Sequence, residues 1–284
     1  MVGRNCPAIS VKPAAVPAAP AVKALPVGAG VQDGRFALQR DGKLLLTADT
    51  EGTLLYRAST DNDTDVFFRR PLTPWQNQRT EVVSCKGIAN GYEVVTRLTN
   101  GKGCYTVTDT YQGTDRGVLV TSVLHRERGS RTVPRFGKVF RLDEIFDTVT
   151  YFARSGESYC DMKDQFCVQQ VTCPVSAMTE PNIRPQESGN RMDCTAAALT
   201  DGHLKVTFEA VGKPFELAVK PYTDRALTGM KHREDEVRTG TYVTVQAFQQ
   251  GIGTGSCGPA IMPEFLYELK QDCTLQFLIR VEEV

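Results

Sequence analysis

LKVTFEAVGKPFELAVK, residues Leu204 to Lys220, holds two short runs in which apolar and polar side chains take turns. Leu204, Val206 and Phe208 alternate with Lys205, Thr207 and Glu209, and Phe215, Leu217 and Val219 alternate with Glu216, Ala218 and Lys220. Successive side chains of a strand point to opposite faces, so this pattern predicts strands with one face buried and one in solvent. Leu275, Phe277, Ile279 and Val281 repeat it less cleanly, and similar runs occur at Tyr92–Leu98, Tyr105–Thr110, Gly117–Leu124, Thr148–Phe152 and Tyr242–Phe248. Turn signals such as Asn90-Gly91, Asn100-Gly101 and Asp201-Gly202 separate them. Helix signals are sparse, with one short helix predicted within Thr223–His232. Many short strands and almost no helix predict an all-β fold, a large antiparallel β-sandwich.

Composition narrows the partners. Thirty-three basic residues balance thirty-three acidic ones. No basic surface of the kind that nucleic acid or an anionic membrane selects is expected, and no apolar run approaches the roughly 20 residues that cross a bilayer. A neutral ligand or a protein partner fits this balance. Nine cysteines are scattered without a Cys-x-x-Cys pair, and Cys160, Cys167 and Cys173 have no histidine nearby, so neither a metal site nor a cofactor is expected. With no secretory signal read at the N-terminus, the thiols are expected to be reduced and the location cytoplasmic. The Asn62-Asp63-Thr64 sequon is then not glycosylated.

Val11 to Gly30 is mostly Ala, Pro and Val, and prolines at 13, 17, 20 and 26 prevent a stable helix. Residues 1–34 are therefore expected to be a poorly ordered tail or linker, and residues 35–284 one domain.

The densest polar stretch is Asn182–Asp193, NIRPQESGNRMD, which places Arg184, Glu187, Asn190 and Arg191 on a turn between strands. Such groups either hold a ligand or partner, or pair with each other as scaffold. Gln250–Pro259 is rich in glycine, which lets a backbone approach another surface closely; packing against a neighbouring domain is the plainer reading. It lacks the strand-then-helix setting of a dinucleotide site. His232 is either an acid–base group or a turn residue, Trp75 a cover for a sheet edge, and Asp61–Asp63 an Asx-type turn.

Six stretches occur in the order found in the C-terminal domain of family 2 β-galactosidases, the domain also known as the β-galactosidase small chain. Arg57-Ala58-Ser59-Thr60-Asp61-Asn62-Asp63 resembles that family's Arg-Ala-Pro-x-Asp-Asn-Asp, and Val133-Pro134-Arg135-Phe136-Gly137 its Pro-Arg-x-Gly. Tyr151–Tyr159 is a degraded copy of Trp-Tyr-Gly-Arg-Gly-Pro-x-Glu-Asn-Tyr. NIRPQESGNRMD follows almost unaltered, then Phe215–Arg233, then the glycine-rich loop to Pro259. The resemblance spans roughly residues 40 to 284. It implies a supersandwich of the galactose-mutarotase-like kind, which completes the active-site entrance of a catalytic barrel carried on a separate chain and acting on terminal β-galactosides such as lactose.

Retaining glycosidases use two carboxyl groups about 5–5.5 Å apart, and the resemblance puts both in the barrel, so no catalytic residue is expected here and the isolated chain should be inactive. The residues implied at the sugar or the entrance are Gly255, Ser256, Cys257 and Gly258, with Arg154, Glu157, Arg184, Glu187, Asn190, Arg191 and His232. Cys257 stands where some members carry a tryptophan. The alternatives are an autonomous sugar-binding or aldose-epimerase-like module, pairing His232 with Glu157 or Glu187, and a degenerate copy without function.

Overall fold

The computed structural model describes residues 16–18, 20, 21, 23, 25, 26, 28–63, 72–253 and 261–284. Sixteen strands form two antiparallel sheets among these residues. The smaller sheet has seven strands: β1 (Ala29–Gln32), β2 (Arg35–Arg40), β3 (Lys43–Leu54), β8 (Arg135–Leu142), β15 (Thr241–Gln249), β14 (Phe215–Lys220) and β11 (Arg191–Cys194), in that spatial order. The larger has nine: β10 (Val168–Pro174), β9 (Thr148–Arg154), β12 (Ala196–Thr200), β13 (Leu204–Ala210), β16 (Cys273–Glu283), β7 (Val118–Gly129), β6 (Gly103–Gly113), β5 (Gly91–Asn100) and β4 (Arg79–Ile88). This is the large antiparallel sandwich predicted from the alternation.

The sheets meet through their inward side chains. Phe140 of β8 packs against Phe208 of β13 and Phe277 of β16, with ring centroids 5.6 and 5.8 Å away. Phe36 of β2 stacks on Tyr111 of β6 at 4.6 Å. One charge pair also crosses this core. Lys138 Nζ of β8 donates to Asp109 Oδ2 of β6 at 2.6 Å and to Thr53 Oγ1 at 2.6 Å, while Ser122 Oγ donates to Asp109 Oδ1 at 2.5 Å.

Several local readings change. β1 lies inside the expected tail, pairing Val31 with Phe36 across the Asp33-Gly34 turn, so the sheet starts at Ala29 rather than after Arg35. Ahead of it, Val16 and Leu25 pack against the core, and Gly212 N donates to Pro17 O. Residues 1–15 lie outside the described residues. The predicted helix is α2 (Asp224–Gly229), shorter than expected, with Thr223 Oγ1 capping Ala226 N at 3.1 Å. Trp75, in the one-turn helix α1 (Thr73–Gln76), is buried with its ring 5.7 Å from that of Tyr105.

The largest departure concerns β14. Alternation assigns Glu216 and Lys220 to solvent, yet all six residues of β14 are buried. Its outer face is covered by the segment around Glu187–Asn190 and by α2, and the polar side chains there find partners instead of water. At the opposite extreme, β4 at the edge of the larger sheet is exposed on both faces from Arg79 to Gly87. Among the described residues no helix is long and apolar enough to cross a membrane.

Candidate functional site: a buried charge knot beside a polar cleft

The covered face of β14 and β15 carries a dense polar network. Lys220 Nζ donates to Glu187 Oε2 at 2.9 Å and to Asp224 Oδ1 at 2.6 Å, and Arg135 Nη1 donates to Asp224 Oδ2 at 2.6 Å. Arg135 Nε also donates to Gln246 Oε1. Asn190 donates through Nδ2 to Ser158 O at 2.9 Å and Glu216 Oε2 at 2.7 Å, and its Oδ1 accepts from Gln246 Nε2 at 2.7 Å. Each of these side chains is almost fully buried. Such groups survive away from water only when paired, and here they are.

The electrostatics follow from that pairing. Burial alone would raise the Asp224 carboxyl, but Arg135 and Lys220 outweigh it and hold it down to about 2. Burial would likewise lower Lys220, but Asp224 and Glu187 raise it. Among the described residues Glu216 has no cation at hydrogen-bond distance. Burial pushes it up to about 7 against the hydrogen bond from Asn190.

Three of the residues singled out in NIRPQESGNRMD therefore belong to the interior. Glu187 and Asn190 tie this segment to β14 and β15. Arg191 donates to Tyr151 Oη at 3.1 Å and to the carbonyls of Asn190 and Met178 at 3.2 Å each. Arg154 is fastened too, to Asp193 Oδ2 at 2.7 Å and to the Lys163 and Phe166 carbonyls at 2.6 and 3.0 Å. Arg184 stands apart, 62% exposed and 3.9 Å from the equally open Asp61 carboxylate.

A second knot holds the stem of the glycine-rich loop. Arg57, fully buried, donates to Asp63 Oδ2 and Oδ1 at 2.6 and 3.1 Å and to Gly251 O at 3.3 Å. Asn62 Nδ2 donates to Gly253 O at 2.8 Å, and Gly253 N donates to Asp161 Oδ2 at 2.8 Å. Asp61–Asp63 forms a single 3-10 turn rather than an Asx turn: Asp63 Oδ2 accepts from Thr60 N at 2.7 Å and from Thr60 Oγ1 at 3.0 Å, three residues back along the chain. A Cβ on Gly251 would sit 2.6 Å from Asp161 Oδ2, so only glycine fits. Gly251→Ala is expected to cost about 1–3 kcal/mol in urea unfolding. Gly87→Ala, on open β4 with no atom within 4 Å of the added Cβ, should stay within about 0.5 kcal/mol. Equal effects of the two would refute the close-approach argument. Gly255, Ser256, Cys257 and Gly258 lie outside the described residues.

Between the two knots opens a cleft of about 410 Å³, bordered by Asn62, Glu157, Phe166, Gln186 and Ile252. Burial raises the Glu157 carboxyl, with Glu180 and Glu187 adding to the rise against a hydrogen bond from the Gly189 backbone. A larger opening of about 830 Å³ lies elsewhere, between the β2–β3 and β6–β7 turns, and none of the motif residues lines it. We place the candidate site at the smaller cleft because two of the singled-out residues, Glu157 and Glu187, line it and none lines the larger one. His232 does not join it: it is exposed on the turn after α2, where its N–H donates to Asp235 Oδ2 at 3.0 Å. The described cysteines are all free, and among the described residues no group of acids, cysteines or histidines is arranged to hold a metal ion.

Arg57 and Arg135 were visible in the quoted motifs but carried no role, Asp63 was read only as part of a turn, and Lys220, Glu216 and Asp224 were missed as members of the network. The available signal was an Arg or Lys inside an otherwise apolar strand. Asp161 and Phe166 gave no sequence signal of their own.

The family of the Beta galactosidase small chain matches residues 31–279. The β-galactosidase of Staphylococcus xylosus is 28% identical over 216 residues, covering 73% of this chain and 22% of that protein. The β-galactosidase of Lactobacillus delbrueckii subsp. bulgaricus is 28% identical over 235 residues, covering 79% of this chain and 23% of that protein. The chain thus spans under a quarter of the length of these curated relatives. Among solved structures, a galactose mutarotase-like protein from Lactobacillus casei aligns over 89% of this chain and 99% of its own, with a TM-score of 0.44 and 10% identity. On the breadth of the family match, this chain belongs to the β-galactosidase small-chain family.

Proposed function

We propose that this protein is the non-catalytic part of a family 2 β-galactosidase in the cytoplasm, docking on a separate catalytic barrel and completing the entrance through which terminal β-galactosides of the lactose type are bound and hydrolysed. The observation that carries the proposal is the family match over residues 31–279 together with coverage of only 22–23% of two full-length relatives. Chemistry supports the same division. Glycoside hydrolysis needs an acid and a base or nucleophile facing one sugar. The buried carboxylates Asp63, Asp109, Glu187 and Asp224 are each committed to a cation, and Glu216 to Asn190 and the Gln249 backbone. Their role in this reading is to fix the end of the sandwich from which the glycine-rich loop departs. The glycine-rich residues after Gly253 are assigned to the entrance in this reading, as are Glu157 and Arg184.

The test is complementation. The purified chain should leave a chromogenic β-galactoside intact, and adding a barrel-bearing chain from a related two-chain β-galactosidase should restore turnover. Hydrolysis by the purified chain alone would overturn the division of labour, and a stable complex without restored turnover would overturn the role at the entrance.

A further inference from the structure

Four polar atoms of the two knots have no hydrogen-bond partner among the described residues: Arg57 Nε, Arg135 Nη2, Tyr159 Oη and Gln249 Oε1. None of the four residues is more than 2% exposed, so bulk solvent does not reach them. Their other polar atoms are engaged. Arg57 spends Nη1 and Nη2 on Asp63, and Arg135 spends Nε on Gln246 and Nη1 on Asp224. Gln249 donates its amide N–H to Glu187 Oε1 at 3.5 Å.

The four belong to one place. Gln249 and Arg135 are direct partners across the β15–β8 ladder. Arg135 Nη1 donates at 3.3 Å to the carbonyl of Tyr56, the residue before Arg57. Both guanidinium groups are electrostatically coupled to Glu187 and to Tyr159, and Tyr159 in turn to Glu187 and Arg57. Yet Arg57 Nε, Arg135 Nη2 and Tyr159 Oη make no bond to one another or to Glu187. Polar groups that lie close together but out of bonding reach are bridged by water in many interiors.

The chemistry of the set selects the ligand. Arg57 Nε–H and Arg135 Nη2–H can only donate, Gln249 Oε1 can only accept, and a tyrosine hydroxyl does either. Burial pushes the Tyr159 hydroxyl well above its ordinary range and Glu187 adds to the rise, so it stays protonated. An anion here would face the Gln249 oxygen and the Glu187 carboxylate, and a cation would face two guanidinium groups. The knots are also neutral together: Arg57, Arg135 and Lys220 balance Asp63, Glu187 and Asp224, so neither sign of charge is drawn in. A molecule that both accepts and donates is required, and water does both.

We propose that an internal water site joins the two knots, its water accepting from Arg57 Nε and Arg135 Nη2 and donating to Gln249 Oε1, with the Tyr159 hydroxyl as its fourth neighbour. The site does not depend on the small-chain reading. Arg57 also donates to the Gly251 carbonyl, so the water steadies the side chain that fastens the stem of the glycine-rich loop to the sandwich.

NMR of the isotope-labelled full chain tests this in solution. Arg57 Nε–H should show cross-peaks to the water line whose sign differs between NOE and ROE spectra, the mark of a held water rather than of proton exchange. Tyr159→Phe, which removes only the hydroxyl, should keep these peaks, because three of the four contacts remain. Their absence from the parent, or equal signs in the two spectra, would overturn the inference. So would their loss in a folded Tyr159→Phe, since the hydroxyl and not a water would then be the source. A high-resolution crystal structure of the parent, grown from bromide, reads the site independently of that variant. A water oxygen at hydrogen-bond distance from both guanidinium nitrogens is expected. An anomalous bromide peak there, or a direct bond from either nitrogen to Glu187 or Tyr159 with nothing between, overturns the assignment.

Discussion

Lys138→Met should lower the unfolding free energy by about 3–5 kcal/mol, the cost of stranding a carboxylate between two sheets. Asp109, left without its ammonium partner, would keep only the Ser122 hydroxyl at 2.5 Å. No water replaces Lys138 cheaply, because the site lies inside the sandwich and both side chains are 3% exposed. The double variant Lys138→Met/Asp109→Asn removes the stranded charge while the new amide oxygen still accepts from Ser122. It should recover a large part of the loss. Denaturant unfolding of the parent and the two variants measures this. A single variant within about 1 kcal/mol of the parent would show that Asp109 reaches solvent or takes up a proton at little cost.

The second large effect is a pH dependence centred on Glu216. Its carboxyl is raised from the ordinary 4.5 to about 7 in the folded protein by burial. A group whose folded value is raised contributes fully below the unfolded value and loses its contribution as pH climbs through the folded one. Stability should therefore fall between about pH 4.5 and pH 7 by roughly 3 kcal/mol from this group. Asp224 has the opposite sign, but its window lies lower: its contribution is complete above 3.8 and disappears as pH falls toward about 2. Glu216→Gln should flatten the upper decline, at a pH-independent cost of about 1–3 kcal/mol, because its amide oxygen keeps the bond from Asn190 while its nitrogen cannot accept from Gln249 N. Unfolding free energies at pH 5 and pH 8 for both proteins decide the matter. Parallel profiles would exclude Glu216 as the source.

The architecture was legible because its rule is local. Apolar residues two apart in β13, β15 and β16 face a partner sheet whatever the rest of the chain does. The site was legible only in part. Alternation cannot tell a solvated face from one covered later by a remote segment, so Glu216 and Lys220 read as surface until Glu187–Asn190 and α2 are seen to close over them. Composition misled at the start of the chain. Proline and alanine hid a hairpin whose Asp33-Gly34 turn, with positive φ at both residues, was written in the sequence. Motif density in NIRPQESGNRMD drew attention to a segment whose charges serve mainly to bind the chain to itself. Gln165 and Glu180, whose side chains border the cleft with no hydrogen-bond partner among the described residues, come from stretches with no motif, because a side chain left uncommitted has no partner whose spacing could betray it.

One consequence of β4 remains. Because solvent meets both of its faces from Arg79 to Gly87, the shape rules that govern every inner strand hardly reach its side chains, Val82 beside Gly34 excepted. Beside the backbone ladder to β5, they make a few contacts only, Val82 against Gly34 and the Glu81–Arg97 and Lys86–Glu93 ion pairs. That strand is consequently the place where the sequence has latitude: labels, charges or tethers can be written there while the hydrophobic interior and the cleft go undisturbed.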